Sequence, residues 1–147
     1  MDAKKILLID DSADDNALTK RALKKSKILN ELIIIEEGET ALNFLFGDNC
    51  QNECSAENIP IVVFLDINLP KVDGLSILRQ IRSHNSTKSL PVILLSGSTV
   101  EDNIISGRLP EHLDFIHKPI EFVEFAEAIR KLGLYLIVTN EKPLTTG

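Results

Sequence analysis

The feature that most constrains the fold of this chain is a series of short apolar runs with helical patterns between them. Four runs are uninterrupted rather than alternating, and a fifth is weaker; they cover residues 6–9, 32–35, 61–65, 92–95 and 115–116. Uninterrupted apolar strands are typical of a parallel sheet that is covered on both faces. The pattern therefore predicts a doubly wound α/β domain built from five strand–helix units.

The segments between these runs carry apolar residues at helical spacing. They predict helices over residues 14–25, around 41–46, after Gly74, near 101–106 and over 122–132, the last being the C-terminal helix. Two regions fall outside this plan. Residues 47–60 form a polar loop that is long for a helix–strand connection, and such loops are often functional or mobile. Residues 134–138 are apolar throughout and follow the C-terminal helix.

Charge and composition exclude several classes of function. The net charge of −6 argues against general binding to nucleic acid or to anionic membranes, because both need a basic surface. No segment approaches the roughly 20 apolar residues that span a bilayer, and two aspartates interrupt the N-terminal apolar run, so no signal peptide is predicted. We expect a cytoplasmic protein.

The cysteines and histidines carry no clear site. We interpret Cys50 and Cys54 as exposed, reduced thiols, with a disulfide or half of a metal site as the alternatives. His84, His112 and His117 are expected to be surface or structural residues rather than catalytic ones.

Polar side chains stand where four of the predicted strands end. Asp10 and Asp11 follow the first strand, Asp66 the third, Ser96 the fourth and Lys118 the fifth. In an open parallel sheet, ligands bind outside the carboxyl ends of the strands. The sequence therefore predicts that three carboxylates, one hydroxyl and one ammonium converge at one edge of the sheet.

This combination of groups restricts the chemistry. Three carboxylates in one pocket repel one another, so either the pKa of one rises or a cation joins them. Oxygen ligands favour Mg²⁺ or Ca²⁺. An aspartate beside such a cation, a lysine and a hydroxyl is suited to attack a phosphorus centre, and the product would be an acyl phosphate.

The motifs at these positions resemble the receiver domain of bacterial two-component response regulators. They stand at residues 8–11, 65–70, 73–74, 95–97 and 118–119, in order along essentially the whole chain. The resemblance implies a flavodoxin-like (βα)5 sandwich with a five-stranded parallel sheet of order 2-1-3-4-5. It also implies a receiver domain over residues 1–133, an extension of the C-terminal helix and tail over 134–147, and no output domain.

The resemblance implies a role for each residue of the cluster. Asp66 corresponds to the phosphoacceptor, and Lys118 corresponds to the lysine that pairs with phosphoryl oxygens. The peptide bond between Lys118 and Pro119 is expected to be cis. Ser96 and Phe115 correspond to the switch hydroxyl and the switch aromatic residue. The implied ligands of Mg²⁺, or of Mn²⁺ or Ca²⁺ in vitro, are Asp10, Asp11, Asp66 and the backbone carbonyl of Asn68.

We therefore expect a single-domain response regulator that is not an enzyme but assists its own phosphoryl transfer and dephosphorylation. A sensor histidine kinase would donate the phosphoryl group, and the surface of the fourth helix, strand 5 and the C-terminal helix would switch. The 47–60 loop, residues 66–71 and the apolar tail are similar to the small regulators that partner cyanobacterial phytochromes, which makes a phytochrome the narrower expectation for the kinase.

Several alternatives stay open. A haloacid-dehalogenase-type phosphatase also uses a strand-end aspartate, but it needs a second aspartate where Asn68 stands. A phosphorylation-independent interaction module is a third interpretation. The apolar tail either folds back on its own domain or, as we expect, forms a two-fold homodimer together with the C-terminal helix. The basic residues between Lys20 and Lys27 are either a solvated helix face or a docking patch for the phosphodonor.

Overall fold

A computed structural model of the chain describes residues 4–48, 51–97 and 114–132. The elements in chain order are β1 (Ile6–Ile9), α1 (Ala13–Lys25), β2 (Leu32–Ile35), α2 (Gly38–Phe46), β3 (Val62–Asp66), α3 (Gly74–Ser83), β4 (Val92–Ser96), β5 (Asp114–His117) and α4 (Phe122–Leu132). The predicted helix near residues 101–106 and the apolar run 134–138 lie outside the described residues. The helix labelled α4 is the predicted C-terminal helix.

The five strands form one sheet of order β2-β1-β3-β4-β5, and all four neighbouring pairs are parallel. This confirms the predicted flavodoxin-like arrangement. Ile9 is paired with Leu65, so Asp10 and Asp66 stand next to each other one residue further along β1 and β3. Strand β2 lies on one side of β1 and β3 lies on the other, so the strand order reverses at β1. The carboxyl ends of β1 and β3 therefore form the topological switch point of the sheet.

Alternate residues of the strands face two separate apolar clusters. One cluster lies under α2 and α3 and includes Leu7, Ile9, Val63, Leu65, Ala41, Phe46 and Ile77. The other lies under α1 and α4 and includes Ile6, Leu8, Phe64, Ile93, Leu23 and Phe125. The central strands β1, β3 and β4 are therefore fully buried, as their uninterrupted apolar sequences predict.

Strand β2 differs from that expectation, because all four of its residues are only half-buried. It is the edge strand of the sheet and has a strand neighbour, β1, on one side only. Its side chains still contact both clusters: Ile33 and Ile35 pack on one, Leu32 and Ile34 on the other. An apolar run of this kind therefore does not separate an edge strand from a central one.

The long loop before β3 is attached to the loop after α3, and Glu53 and Ser86 carry the attachment. Ser86 donates from its backbone N–H and from its hydroxyl to Oε1 of Glu53, at 2.8 and 2.7 Å. The backbone N–H of Cys54 donates to the Ser86 hydroxyl at 2.9 Å. These bonds hold one end of the domain together, opposite the edge that carries the acidic residues.

The expectation of exposed thiols is wrong for Cys54, which is a buried free cysteine in the apolar cluster under α2 and α3. Burial raises the pKa of its thiol. Cys50 and His112 lie outside the described residues. The His84 ring stacks on Phe46 with 3.8 Å between ring centroids, which agrees with a structural role. No helix in the described part of the chain is both long and apolar enough to cross a membrane.

Candidate phosphoacceptor site

The strand ends bring the predicted polar residues to one edge of the sheet. Asp10 and Asp11 directly follow β1, and Lys118 directly follows β5. Asp66 and Ser96 are themselves the last residues of β3 and β4, one residue further into the sheet than predicted. The backbone N–H of Lys118 donates to the Ser96 carbonyl at 2.7 Å, which joins the ends of β4 and β5.

Three carboxylates meet at this edge. Oxygens of Asp10, Asp11 and Asp66 all lie within 4.8 Å of one another. Asp10 and Asp66 are buried, whereas Asp11 is exposed. Oxygen ligands at this spacing, two of them shielded from water, suit a hard divalent cation, because the cation offsets the repulsion between the carboxylates. The residues present therefore fit a divalent-cation site.

Backbone N–H groups orient the two buried carboxylates. Oδ1 of Asp10 accepts from the N–H of Ser12 at 3.0 Å, and Oδ1 of Asp66 accepts from the N–H of Asn68 at 3.2 Å. The second oxygen of each carboxylate faces Lys118. The backbone of Asn68 is thus adjacent to Asp66, while the role of its carbonyl as a metal ligand stays a prediction.

Lys118 is surrounded by three carboxylates. Its Nζ lies 2.9 Å from Oδ2 of Asp10, 2.9 Å from Oδ2 of Asp15 and 3.3 Å from Oδ2 of Asp66. Burial by itself would lower the pKa of Lys118, but hydrogen bonds to Asp15 and Asp10 and the charge of Asp66 outweigh burial and raise it. Lys118 is therefore a fixed positive charge beside Asp66. The Lys118–Pro119 bond is cis, as expected.

Asp10 is the most perturbed acid of the cluster. Burial raises the pKa of its carboxyl from 3.8 to about 6, and the neighbouring charge of Asp66 acts in the same direction. The Ser12 N–H and Lys118 oppose this rise without cancelling it. Ionised Asp10 is therefore held in the folded protein at a cost in free energy, which a bound cation would reduce.

Asp15 is the residue of the site that the sequence analysis missed. It lies in the first turn of α1, and its carboxylate contacts Lys118 as closely as that of Asp10 does. The sequence carried a signal, because Asp15 stands three residues after the helix-capping Ser12, in the first turn of a helix that begins at the same edge of the sheet.

Gly74 allows α3 to begin against the end of β3. A Cβ atom at this position would collide with the carbonyl oxygen of Asp66 and would lie 2.8 Å from Cα of Ile67. The Gly74 N–H donates to the Ile67 carbonyl at 3.0 Å, and the Asp73 side chain caps the helix through the N–H of Ser76 at 2.8 Å. The close approach fixes the loop that follows Asp66.

Phe115 lies within β5, three residues before Lys118. It is half-buried, packs against the cluster under α2 and α3, and has its ring centroid 6.3 Å from that of His117. His117 in turn contacts Oε2 of Glu124 on α4 through Nδ1, at 3.2 Å. The structure therefore brings Asp10, Asp11, Asp66 and Lys118 together, and it places Phe115 on the strand that leads to Lys118.

Comparison with known proteins supports a single family. The model of the response regulator receiver domain matches residues 6–130. Response regulator Rcp1 of Synechocystis sp. is 40% identical over 104 residues, which cover 71% of this chain and 69% of Rcp1. The structure of Rcp1 in its Mn²⁺-bound form superposes with a TM-score of 0.68 and 32% identity, covering 92% of this chain and 98% of Rcp1.

Two further structures extend the comparison. The bacteriophytochrome response regulator RtBRR has a TM-score of 0.80 and 38% identity, covering 97% of this chain and 85% of that one. The phosphorylated cyanobacterial phytochrome response regulator RcpA has a TM-score of 0.66 and 30% identity, covering 89% and 91%. The predicted similarity to phytochrome-associated regulators is thus confirmed. The chain belongs to the response regulator receiver domain family and is a phosphoaccepting response regulator.

Proposed function

We propose that Asp66 is the residue that accepts the phosphoryl group and that Lys118 stabilises the charge which develops during its transfer. The observation that carries this proposal is the ion pair of 3.3 Å between the Lys118 ammonium and Oδ2 of Asp66, within a largely buried acidic cluster. An ammonium beside the nucleophile is placed where the phosphoryl oxygens will be, and such electrostatic stabilisation is most of what phosphoryl transfer requires.

The reaction follows from these two side chains. A carboxylate oxygen of Asp66 attacks the phosphorus atom, and the bond from phosphorus to the imidazole nitrogen of the donor breaks, with its electron pair leaving on nitrogen. The product is an acyl phosphate, which Lys118 contacts through its N–H groups. Attack by water on phosphorus later returns the free carboxylate and inorganic phosphate. The site thus assists its own phosphorylation and dephosphorylation but turns over no separate substrate.

A divalent cation is required in this proposal, and Mg²⁺ is the cation that we infer. Asp10, Asp11 and Asp66 would hold it, together with the backbone carbonyl of Asn68. When bound, it offsets the charge of the carboxylates and of the phosphoryl oxygens. Mg²⁺ fits because it prefers hard oxygen ligands and commonly binds carboxylates together with a phosphate oxygen. Mn²⁺, the ion in the Rcp1 structure, and Ca²⁺ are expected to substitute in vitro.

The signal would leave the site through β4 and β5. The phosphoryl group adds about −1.5 to −2 of charge at neutral pH. Ser96, fully buried at the end of β4, would hydrogen-bond this group. The movement of Ser96 would leave room for the half-buried Phe115 to turn inward. The surface that we predict for the helix near residues 101–106, β5 and α4 would then change.

A sensor histidine kinase is the partner that this chemistry needs, and the similarity to RtBRR, Rcp1 and RcpA favours a phytochrome as that kinase. The names of RtBRR and RcpA refer to phytochromes, and we propose the same type of partner for this chain. Binding to nucleic acid is not expected, given the acidic chain. A cytoplasmic location stays a prediction.

The phosphoacceptor is tested with acetyl phosphate and Mg²⁺. The aspartyl phosphate is trapped by borohydride reduction, which converts the modified aspartate to homoserine, and the position is read by peptide mass spectrometry. We expect modification at residue 66 in the natural chain and none in Asp66→Asn. Asp14→Asn, which changes an exposed acid in the first turn of α1, is the control and should be modified like the natural chain. Equal modification of Asp66→Asn would refute the assignment.

The same variants separate the alternative functions. A phosphorylation-independent module predicts that Asp66→Ala retains partner binding and that phosphorylation does not change it. A haloacid-dehalogenase-type phosphatase predicts turnover of a phosphomonoester by the natural chain. The position that would need the general acid of such an enzyme is Asn68, which cannot supply that proton.

We further propose that the receiver domain spans residues 1–133 and that residues 134–147 form a tail which, with α4, builds a two-fold homodimer. Apolar residues beyond the helix favour an interface. Light scattering on the full chain and on a chain that ends at Gly133 tests this. We expect a dimer and a monomer, respectively, and an unchanged oligomeric state would contradict the proposal.

A further inference from the structure

The inference concerns Asp15, the third carboxylate on Lys118. The Lys118 side chain is only 16% exposed and has ion pairs with Asp10, Asp15 and Asp66 at 2.9, 2.9 and 3.3 Å. Asp10 and Asp66 belong to the acidic trio whose oxygens lie within 4.8 Å of one another, and Asp15 does not. Asp15 is therefore a partner of the Lys118 ammonium but does not belong to the predicted cation site.

The local structure of α1 leaves the Asp15 carboxylate available for this contact. Ser12 caps the helix by accepting from the backbone N–H of Asp15 at 3.2 Å. In a capping box, the acid at the position of Asp15 would bind the backbone N–H of Ser12 in return. Here that N–H donates to Oδ1 of Asp10 at 3.0 Å. The carboxylate of Asp15 is directed to Lys118 instead.

We propose that Asp15 is a positioning residue that keeps the Lys118 ammonium beside Asp66 while Asp10 turns to a divalent cation and Asp66 takes the phosphoryl group. This inference rests on the proposed function of Asp66. Asp15 touches none of the reacting atoms. It acts through Lys118 alone, by holding the charge of the lysine at the place where the phosphoryl oxygens arrive.

The competition among the three partners supports this role. Oδ2 of Asp10 faces Lys118, and its Oδ1 accepts from the Ser12 N–H, so a cation bound to Asp10 would compete with the ammonium for the charge of this carboxylate. Asp66 uses one oxygen for the new bond to phosphorus. The pairing of Lys118 with Asp10 and Asp66 is thus weakened during the transfer, and an ammonium that is held less firmly would move toward water rather than stay where the phosphoryl oxygens arrive. Asp15, at 2.9 Å, remains.

The test compares Asp15→Asn with Asp14→Asn. Both are acids in the first turn of α1, so both changes remove the same favourable interaction with the helix dipole, but only Asp15 pairs with Lys118. The measured quantity is the initial rate of Asp66 phosphorylation by acetyl phosphate at saturating Mg²⁺. We expect a rate about tenfold lower for Asp15→Asn, the loss of one partly exposed charge-assisted hydrogen bond, and a change below about twofold for Asp14→Asn.

A second measurement observes the lysine itself. With Mg²⁺ bound, the ¹H–¹⁵N signal of the Lys118 ammonium, assigned by its absence in Lys118→Ala, reports whether the ion pair persists. We expect this signal in the natural chain and in Asp14→Asn, and its loss or a clear shift in Asp15→Asn. Asp15→Glu keeps the charge on a longer side chain, and we expect it to restore part of both the rate and the signal.

The possible outcomes separate the hypotheses. Equal rates in Asp15→Asn and Asp14→Asn would overturn the inference, and so would a slower rate with an unchanged lysine signal. If raising the Mg²⁺ concentration beyond the level that saturates the natural chain restored the full rate of Asp15→Asn, Asp15 would serve cation binding rather than Lys118, which would also overturn the inference. Failure of the natural chain to be phosphorylated at Asp66 is a different result, because it refutes the proposed function.

Discussion

Replacement of Asp10 by Asn should stabilise the protein in the absence of divalent cations, although Asp10 belongs to the proposed site. The side chain is fully buried, and burial raises the pKa of its carboxyl to about 6. At neutral pH the folded protein therefore carries the negative charge of Asp10 in a buried position, where the ionised form is disfavoured. An asparagine has a similar shape and no charge, and its Oδ1 retains the bond from the Ser12 N–H.

The magnitude follows from the change in proton affinity. A rise in the pKa from 3.8 to about 6 corresponds to about 3 kcal/mol, because each tenfold change in affinity is worth about 1.4 kcal/mol. The folded state binds the proton of Asp10 more tightly than the unfolded state does, so this term lowers stability as the pH rises from about 4 through about 6. The figure is an upper limit, because the amide N–H groups of Asn would face the Lys118 ammonium.

The assay is urea unfolding of both proteins, followed by circular dichroism in the presence of a chelator, at several pH values. At pH 7.5 we expect Asp10→Asn to be more stable by about 1–3 kcal/mol, and at pH 4 the difference should fall below about 1 kcal/mol. Asp14→Asn is the matched control, because Asp14 is exposed, and it should show no such pH-dependent gain.

Addition of Mg²⁺ should reverse the comparison. A ligand that binds only the folded state stabilises it by RT ln(1 + [L]/Kd), so the natural chain should gain stability while Asp10→Asn, with a much higher Kd, gains little. The reasoning would be refuted if Asp10→Asn were less stable than the natural chain without cations, or if its advantage did not change between pH 4 and pH 7.5.

Three further predictions concern the cation and the backbone. Affinity for Mg²⁺, measured by calorimetry, should fall as the pH drops below about 6, because Asp10 must lose its proton to bind the ion. Lys27 has a φ of 60° and follows α1 in a left-handed conformation. Lys27→Gly should therefore raise stability by about 0.5–1 kcal/mol, whereas Lys20→Gly within the helix should lower it by about 1 kcal/mol. Gly74→Ala should cost about 1–3 kcal/mol and slow phosphorylation, because the new methyl group meets backbone at the end of β3. In Gly97→Ala the new methyl group would have Cβ of Lys118, 3.9 Å away, as its nearest neighbour among the described residues, so stability should change by less than about 1 kcal/mol.

Much of the fold was predictable because the signals for it are local. The apolar runs at residues 6–9 and 32–35 coincide with β1 and β2, and the positions of the described helices follow from the helical spacing of the apolar residues. Prediction of the cluster at the strand ends needed one additional rule, that parallel strands place their carboxyl ends at the same edge.

Other features depend on distances that sequence spacing does not contain. The Glu53–Ser86 contact joins two loops 33 residues apart and makes Cys54 a buried residue, although the surrounding sequence is polar. The contact of Asp15 with Lys118 depends on the angle at which α1 leaves β1 and on the backbone N–H of Ser12 being occupied by Asp10. The helix dipole alone also favours an acid in the first turn of a helix, so the presence of Asp15 there does not by itself predict a contact with Lys118.

The contacts of Lys118 also suggest why a charge change at Asp66 should reach a distant surface. Its ammonium pairs with the acids, and its backbone N–H donates to Ser96, which is paired with His117 in the sheet. His117 contacts Glu124 on α4 through Nδ1 and through its backbone N–H, at 3.2 and 3.3 Å. A shift of Lys118 toward a phosphoryl group would therefore displace β5, and the contact of His117 with Glu124 would transmit this displacement to α4. Loss of the His117–Glu124 contact, in Glu124→Ala, should weaken the response of α4 to phosphorylation without changing the rate at which Asp66 is modified.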